Sequence, residues 1–474
     1  MSNFYEGGAT GAPTSSAGYF SDFQDLERHL EQLGLFRMVP GLERMESMLD
    51  RLRLKRPPFR VVQVVGTNGK GSTSTMLASL AKAHGLKAGI HTSPHFVSVR
   101  ERVRIDGKQL SEDQWTQLGN TLMSSGGEEL SYFEFVTCLA VLAFAEAGVS
   151  MAVMETGLGG RYDATTALDA DMVVFTPIDL DHQAVLGTSL SDIAQDKAAA
   201  IRTGCKAVTA RQKPAAIKAI EQAADDKAAD LYSLENFPLS RDLLPELALD
   251  GPHQAENALL ALYSWRLLQM DAENDSEVNE GRLSVQALTP DEQTGLAKAW
   301  LPGRLQAIPP VSGERLQNVT GKKETPFSPG SLGWPPMLLD GAHNAHGMEA
   351  LGLALAKRGI APAAVIFSCL EDKELEKIVP LVRALATGPI FVPPIADNPR
   401  AASPEKLAAL IGLNATPLSS LKEAISMASK HMEERLPEVF EGKYPKNPLL
   451  LCGSLYLLGE FYAFRPDCLE PPVA

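Results

Sequence analysis

The segment Val61-Val62-Gln63-Val64-Val65, followed by Gly66-Thr67-Asn68-Gly69-Lys70-Gly71-Ser72, determines the fold predicted for this chain. The apolar run is typical of a buried strand, and the residues after the loop have helical spacing. A glycine-rich loop between a strand and a helix can point its backbone N–H groups at phosphate oxygens. We therefore expect a nucleotide triphosphate site, with Lys70 near the β- and γ-phosphates and Ser72 holding Mg²⁺.

This loop departs from the strict G-x-x-x-x-G-K-[ST] form of phosphate-binding loops. It is one residue shorter between its outer glycines, and Gly71 lies between Lys70 and Ser72. A glycine-rich turn that binds nothing is the alternative interpretation. The strand predicted before the loop and the helix predicted after it favour phosphate binding.

Composition and charge narrow the class of protein. With 474 residues, of which 45% are hydrophobic, the chain can form two or three folded domains. Its net charge of −14 argues against nucleic-acid and membrane-surface partners. The five cysteines form no C-x-x-C pair, which indicates neither a disulfide framework nor a zinc site. Without a signal peptide or a run of about 18 apolar residues, a cytoplasmic location without a membrane span is expected.

Alternating patterns organise the first part of the chain. Residues 1–18 are polar and are expected to form a flexible segment, and residues 20–56 have helical spacing. Strands are then predicted at 61–65, 87–92, 151–155, 171–176 and 205–210, with a helix at 71–84 after the first. This alternation predicts an α/β fold with a mostly parallel sheet, helices on both faces, and ligands at the carboxyl ends of the strands.

A break at Leu301-Pro302-Gly303-Arg304 divides the chain after helices predicted at 255–270 and 284–299. We expect a P-loop domain with its helical prelude over 19–300 and a smaller Rossmann-like α/β domain over 301–474. The strands predicted for the second domain lie at 337–339, 363–367, 390–392 and 449–452. Residues 313–334, rich in Gly, Pro, Thr and Lys, are expected to form a mobile surface insertion.

Two polar groups follow predicted strands of the first domain. Glu155 ends one strand and precedes the glycine-rich run 156–160, which can bring the backbone close to a ligand. It could be a hydrated strand-end carboxylate, but the following loop favours a Mg²⁺ ligand. His182 follows the strand at 171–176 and precedes a helix with a capping box predicted at Ser189 and Asp192. A single histidine is more often structural; the shared sheet edge makes His182 a candidate metal ligand.

Lys197 lies within an apolar stripe of that helix. The stripe consists of Leu190, Ile193, Ala194, Ala198 and Ile201. One explanation is that its stem packs while the ammonium reaches water or pairs with Asp196 or Glu155. The other is that burial lowers its pKa, so that the neutral amine adds CO₂ and the carbamate binds Mg²⁺. The residues alone leave both explanations open.

A series of motifs over roughly residues 20–465 resembles the folylpolyglutamate synthase/dihydrofolate synthase family, within the Mur ligase superfamily. They occur in the family's order: G-T-N-G-K-G-S at 66–72, T-S-P-H at 92–95, E-R-V at 101–103, Y-F-E-F-x-T at 132–137, E-T-G-L-G-G-R-Y-D-A-T at 155–165, D-H at 181–182, D-K-A at 196–198, H-Q-x-x-N-A at 253–258, P-G-R at 302–304, D-G-A-H-N at 340–344 and G-S-L-Y-L-L-G-E at 453–460. Two departures concern local loop geometry: H-N-A replaces H-N-P, and D-K-A-A replaces E-K-A-G.

The resemblance implies roles for the matching residues, and the first role is ATP binding. That role falls to Thr67, Asn68, Gly69, Lys70, Gly71, Ser72, Asn257, Arg304, Asp340 and His343. The ligands of two Mg²⁺ ions would be Ser72, Ser93, Glu155, His182 and Lys197 as its carbamate. The substrate contacts would be Ser93, Pro94, His95, Arg102, Phe133 and Glu134. Catalysis would depend on Lys70, Glu155, His182 and Lys197.

The resemblance also implies an activity, that of an ATP-dependent amide ligase acting as a monomer. A pterin-linked carboxylate, from dihydropteroate or reduced folate glutamates, would form an acyl phosphate that L-glutamate then attacks. A Mur-type peptidoglycan ligase is one alternative, but it needs an additional N-terminal α/β domain. Residues 1–59 leave no room for that domain. A nucleotide-dependent regulatory switch is the other, and the T-S-P-H motif and the second domain argue against it.

Overall fold

The computed structural model describes residues 18–34, 39–237, 240–272, 287–310, 334–433 and 444–471. Two sheets flanked by helices account for the architecture of these residues. The segment 1–18 and the insertion 313–334 predicted from the sequence lie outside the described residues, apart from Gly18 and Trp334.

The first sheet has eight strands in the order β4-β3-β2-β5-β1-β6-β7-β8. Its elements are α1 (Phe23–Leu33), α2 (Glu43–Leu52), β1 (Arg60–Val65), α3 (Lys70–Ala83), β2 (Ala88–His91), β3 (Val103–Ile105), β4 (Lys108–Gln109), α4 (Glu112–Ser124), α5 (Tyr132–Glu146), β5 (Met151–Glu155), β6 (Met172–Phe175), α6 (Gln183–Leu186), α7 (Leu190–Ala198), β7 (Lys206–Thr209), α8 (Pro214–Asp226), β8 (Asp230–Ser233), α9 (Pro252–Ala272) and α10 (Pro290–Lys298).

The predicted parallel sheet is confirmed, with an antiparallel edge that the sequence did not reveal. Strands β2, β5, β1, β6, β7 and β8 pair in parallel, whereas β3 and β4 add an antiparallel edge. The two edge strands are too short to show a period of two in the sequence. The predicted helical prelude is also confirmed, as α1 and α2.

Strand β1 is central to the first sheet and is covered on both faces. Val61 and Val65 belong to one buried core cluster, and Val62 and Val64 belong to the other. Burying each valine contributes about 1.5–3 kcal/mol to the free energy of folding. Because both faces are covered, the strand is apolar at nearly every position. Gln63 is the exception, and its buried amide nitrogen donates to the hydroxyls of Thr165 and Thr166 at 2.9 and 2.7 Å.

The second sheet has six strands in the order β13-β12-β11-β14-β10-β9, of which only the β9–β10 pairing is antiparallel in the described residues. Its elements are β9 (Gln306–Ile308), β10 (Met337–Leu339), α11 (Ala345–Arg358), β11 (Ala364–Phe367), α12 (Leu375–Leu385), β12 (Ile390–Val392), α13 (Pro404–Ile411), β13 (Ala415–Pro417), α14 (Leu421–Glu433), β14 (Leu449–Cys452) and α15 (Leu455–Phe464). All four strands predicted here are present, and β9 and β13 were not predicted.

The chain passes from one sheet to the other between Lys298, the last residue of α10, and Gln306, the first of β9. The helix expected at 284–299 begins at Pro290, where Thr289 provides a capping box with Glu292. Residue 300 stays our proposed domain boundary. Among the described helices, none combines the length and apolar character needed to cross a bilayer.

Gly89 of β2 allows a close contact with helix α5. A Cβ atom at this position would lie 2.7 Å from the ring of Phe144 in α5. We predict that Gly89→Ala lowers the free energy of unfolding by about 1–3 kcal/mol, because the ring or the strand must move. Urea unfolding followed by circular dichroism measures the change.

Gly352→Ala in α11 is the matched control. Its Cβ would contact only Leu385, at 3.4 Å, and alanine favours a helix over glycine by about 1 kcal/mol. This control should leave stability unchanged or raise it. Equal losses in the two variants would contradict the packing explanation.

Candidate active site

The loop from Gly66 to Gly69 has a shape that only glycine permits at its two ends. Gly66 has φ 153° and Gly69 has φ 89°. A Cβ at Gly66 would collide with the hydroxyl of Thr176, and one at Gly69 would lie 2.5 Å from Asn257 Oδ1. The loop leads directly into α3 at Lys70, so the first amides of that helix face the cleft.

Lys70 folds back over this loop. Its Nζ donates to the carbonyl oxygens of Gly66 and Thr67, at 3.2 and 3.3 Å. The ammonium therefore lies above the loop whose amides are suited to phosphate oxygens. This geometry matches a phosphate-binding loop rather than an inert turn.

A cleft of about 950 Å³ opens above the loop, and both sheets contribute residues to it. Every site residue predicted from the sequence lines this cleft except His95. The cleft lies at the carboxyl ends of β1, β5 and β6, as expected for a parallel sheet.

Glu155 ends β5 beside the first turn of α3. A Cβ built on Gly71 would lie 3.6 Å from each carboxylate oxygen, and the amide of Ser93 donates to one of them at 3.0 Å. Burial raises the pKa of Glu155, while the nearby charge of Lys70 acts in the opposite direction. A bound cation would stabilise the ionised carboxylate in such a buried position.

Lys197 of α7 lies beneath the loop and is only 4% exposed. Its Nζ donates to the carbonyl oxygen of Gly66 at 2.8 Å. Burial, aided by the charge of Lys70, lowers the pKa of Lys197 to about 7. The ammonium of Lys197 is therefore buried. Its hydrogen bond is to the loop rather than to Asp196 or Glu155.

The glycines after Glu155 serve contacts within the protein. A Cβ at Gly157 would lie 2.7 Å from the ring of Phe133, and one at Gly160 would lie 2.6 Å from the carbonyl oxygen of Lys197. The amide of Gly160 also donates to Asp196 at 2.9 Å. These glycines thus allow close contacts with α7 and Phe133. Gly157 also lines the cleft, and its close approach to a ligand stays a prediction.

His182 lies at the same edge of the sheet in the left-handed backbone region, with φ 52°. Its amide donates to Asp181 Oδ1 at 2.8 Å. Burial lowers the pKa of His182 to about 4, so its ring is neutral at pH 7 and suited to a metal ion. The predicted capping box of Ser189 and Asp192 begins the following helix, α7.

The predicted substrate contacts cluster around Arg102. Its Nε donates to His95 Nδ1 at 2.8 Å, and its guanidinium faces the ring of Tyr132 at 5.4 Å. His95 thus lies behind Arg102 instead of lining the cleft. The carboxylate of Glu134 is bound to Arg44 at 2.9 Å and to the amide of Ser131 at 2.8 Å. The sequence did not reveal the bond between Arg44 and Glu134 because the two residues are 90 positions apart.

The loop after β2 also joins the two parts of the chain. Its peptide between Ser93 and Pro94 is cis. Three residues on, the half-buried Phe96 packs against the core of the second sheet, with its ring 4.8 Å from that of Tyr462. The segment that faces the cleft is therefore attached to α15.

Asp340 organises the contribution of the second sheet. Its carboxylate accepts the amides of Leu305 and Ala342, both at 2.9 Å. This bond pattern fixes the loop that carries Arg304 beside the loop that carries His343. Burial lowers the pKa of His343 to about 4.

Two further residues reach the phosphate loop from the second sheet. Asn344 Nδ2 donates to Asn68 Oδ1 at 3.1 Å, and Asn68 Nδ2 lies 3.0 Å from His346 Nδ1. Neither residue was predicted as a site residue, although Asn344 belongs to the D-G-A-H-N motif at 340–344. Asn344 caps helix α11, and His346 lies in its first turn. Their positions at the start of a helix that begins next to the loop were the available signal.

The cleft contains oxygen and nitrogen donors of the kind that Mg²⁺ or Mn²⁺ binds. Within the described residues no group of three or more His, Cys, Asp or Glu side chains could hold a metal ion. Glu155, the neutral ring of His182 and the hydroxyls of Ser72 and Ser93 nonetheless line one cleft. Oxygen donors with few protein ligands suit a cation that also binds nucleotide phosphates.

Comparisons with known proteins agree with this geometry. Residues 64–265 match the Mur ligase middle domain, and residues 333–436 match the Mur ligase glutamate ligase domain. The dihydrofolate synthase/folylpolyglutamate synthase of Bacillus subtilis (strain 168) is 29% identical over 473 residues, covering 93% of this chain and 98% of the relative. The enzyme of the same name from Escherichia coli (strain K12) is 30% identical over 446 residues, covering 90% and 92%.

A solved structure extends the similarity to the fold. The bifunctional folylpolyglutamate synthase/dihydrofolate synthase of Yersinia pestis, complexed with AMPPNP and Mn, is 26% identical with a TM-score of 0.73. The match covers 95% of this chain and 99% of that chain. The chain therefore belongs to the dihydrofolate synthase/folylpolyglutamate synthase family of Mur ligases, a family of ATP-dependent ligases.

Proposed function

We propose that this protein joins L-glutamate to the carboxylate of dihydropteroate and of reduced folates, with conversion of ATP to ADP and phosphate. The observation that carries the proposal is one cleft in which the phosphate loop, Glu155, His182 and Lys197 face Arg304 and His343. A ligase of two substrates and a nucleotide needs such a cleft between two domains.

In the first step, the pterin-linked carboxylate attacks the γ-phosphorus of ATP, and ADP leaves. The amides of the loop, the ammonium of Lys70 and the guanidinium of Arg304 compensate the negative charge that develops on the phosphoryl oxygens. The product is an acyl phosphate. Closure of the cleft excludes water, which would otherwise hydrolyse that intermediate.

In the second step, the amine of L-glutamate attacks the acyl carbon, and inorganic phosphate leaves. The amine loses a proton as the amide bond forms. The proposed reaction needs no nucleophilic side chain, so the protein contributes positioning and electrostatic stabilisation. Arg102, facing Tyr132, is proposed to orient the pterin substrate.

Two divalent cations are proposed to be held by Ser72, Ser93, Glu155, His182 and the carbamate of Lys197. Such cations supply charge neutralisation between the β- and γ-phosphates when bound. The lowered pKa of Lys197 supports the carbamate, because only the neutral amine adds CO₂. The monomeric state, the lack of a nucleic-acid partner and the cytoplasmic location stay predictions.

The two rival functions are less well supported. A peptidoglycan ligase is less well supported because relatives that match 93% and 90% of this chain are dihydrofolate synthase/folylpolyglutamate synthases. A regulatory switch would not need a glutamate ligase domain, which residues 333–436 match.

The test uses purified protein, ATP and labelled glutamate, with dihydropteroate and tetrahydrofolate in separate reactions. We expect glutamate-dependent release of ADP and a labelled amide product with both pterins. Product with one pterin alone would restrict the function to that substrate. ADP release that is independent of glutamate would contradict ligation.

Lys197→Ala should nearly abolish ligation, with a loss of at least about 1,000-fold in kcat if the carbamate holds a metal ion. Short carboxylates such as acetate should restore part of the rate. Because the neutral amine prevails only above the pKa of about 7, activity in limiting CO₂ should rise as pH increases through 7. Steady-state assays at fixed bicarbonate measure both effects.

Lys218→Ala is the control for this variant, since Lys218 is an exposed lysine of α8, the helix next to α7. It should keep the wild-type rate. Substantial turnover by Lys197→Ala without added carboxylates would refute the carbamate.

Arg102→Met should raise KM for the pterin substrate by about tenfold or more, because one charge-assisted hydrogen bond contributes about 1.5–3 kcal/mol. KM for ATP should change little. The control is Arg100→Met, whose side chain instead binds the Leu110 carbonyl oxygen and Glu112. Equal KM values for the pterin in the two variants would remove Arg102 from the substrate site.

A further inference from the structure

Asp181, beside His182, receives several side chains from the second sheet. Lys373 Nζ donates to Asp181 Oδ1 at 2.6 Å, and Asn344 Nδ2 donates to Oδ2 at 3.2 Å. His343 Nε2 lies 3.8 Å from Oδ2. Lys373 belongs to the loop between β11 and α12, far in the sequence from Asp181.

The Asp181–Lys373 pair is buried, with the side chains 8% and 7% exposed. Two buried charges lose their hydration, so each depends on the other for compensation. If the two sheets separate, both charges return to water without this penalty. The pair therefore forms only when the cleft is closed, and a closed cleft without Lys373 leaves Asp181 short of a partner.

The same carboxylate oxygen holds the backbone of His182. Asp181 Oδ1 accepts both the ammonium of Lys373 and the amide of His182. His182 has φ 52°, a left-handed conformation that is unfavourable for a residue other than glycine. Its imidazole is thus directed into the cleft by a turn that Asp181 stabilises.

We propose that Lys373 is a positioning residue, which acts through Asp181 to hold His182 in its place when the cleft closes. This inference rests on the function proposed above. It assigns to a C-terminal residue the task of completing a site on the first sheet. Lys373 does not contact the reacting atoms in this role, because its ammonium is used by Asp181.

The test is a double-mutant cycle with Lys373→Met and Asp181→Asn. Lys373→Met should lower kcat by about 100-fold or more, as expected for breaking a buried ion pair. KM for ATP should change less than about threefold, because the phosphate loop is intact. Since Lys373 acts through Asp181, adding Lys373→Met to Asp181→Asn should cause no further loss.

Lys406→Met is the control. Lys406 pairs with Glu371, which belongs to the same loop as Lys373. Both residues of this pair lie on the C-terminal side of the cleft and are exposed. It should leave kcat unchanged. A further loss of about tenfold or more in the double variant would overturn the proposal, because it would mean that Lys373 contacts substrates directly.

A second measurement reports closure without relying on the reaction. Spin labels at Lys218→Cys and Leu413→Cys, both at exposed positions, would give the distance between the two parts of the chain. The five native cysteines are free and buried. With AMPPNP and Mg²⁺, the labelled protein that keeps Lys373 should show one short distance. The labelled protein with Lys373→Met should show a longer or broader distribution.

The two measurements separate the two proposals. Identical distance distributions with and without Lys373→Met would overturn the proposed role of Lys373, whatever the activity. A protein that closes in this way but shows no glutamate-dependent turnover would overturn the proposed function and leave the proposed role of Lys373 in place.

Discussion

The absence of a side chain at Gly66 is the constraint on which the site depends. A Cβ at Gly66 would need the space that the Thr176 side chain occupies. Because glycine has no Cβ, β1 and β6 can approach closely where their carboxyl ends meet the loop. The carbonyl oxygen of Gly66 then accepts bonds from both Lys70 and Lys197. Two lysine side chains therefore converge on one peptide, and the field of the Lys70 ammonium suits a polyphosphate.

Buried carboxylates balance the positive charges of Lys70 and Lys373 in the site. Glu155 and Asp181 lie at the ends of neighbouring parts of the sheet, and both are largely buried. The pKa of Glu155 is raised by its burial, whereas the nearby charge of Lys373 holds the pKa of Asp181 far below its usual range. The two carboxylates thus differ in what they need: Glu155 lacks a full counter-charge, and Asp181 already has one. This difference favours Glu155 as the metal ligand and Asp181 as a structural support.

The sequence predicted those parts of the fold that rest on local patterns. Strand β1, the phosphate loop and helix α7 with its capping box were legible because period, glycine placement and cap residues lie within a few positions of one another. Strands β3, β4, β9 and β13 were missed because two or three residues carry no period, and the four-residue edge strand β8 was missed as well. The pairings of Glu134 with Arg44 and of Asp181 with Lys373 were also missed, since pairings between distant segments follow from tertiary packing alone.

Phe96 has a consequence for how often the cleft opens. Any movement that takes this loop away from α15 withdraws a half-buried aromatic ring from the core around Tyr462. Exposing such a ring costs about 1–2 kcal/mol, which changes a population ratio by a factor of about 5–30. Product release would then depend in part on an apolar contact between Phe96 and the core of the second sheet. Substitutions at position 96 would alter the turnover cycle through this ratio, with the chemical groups of the cleft unchanged.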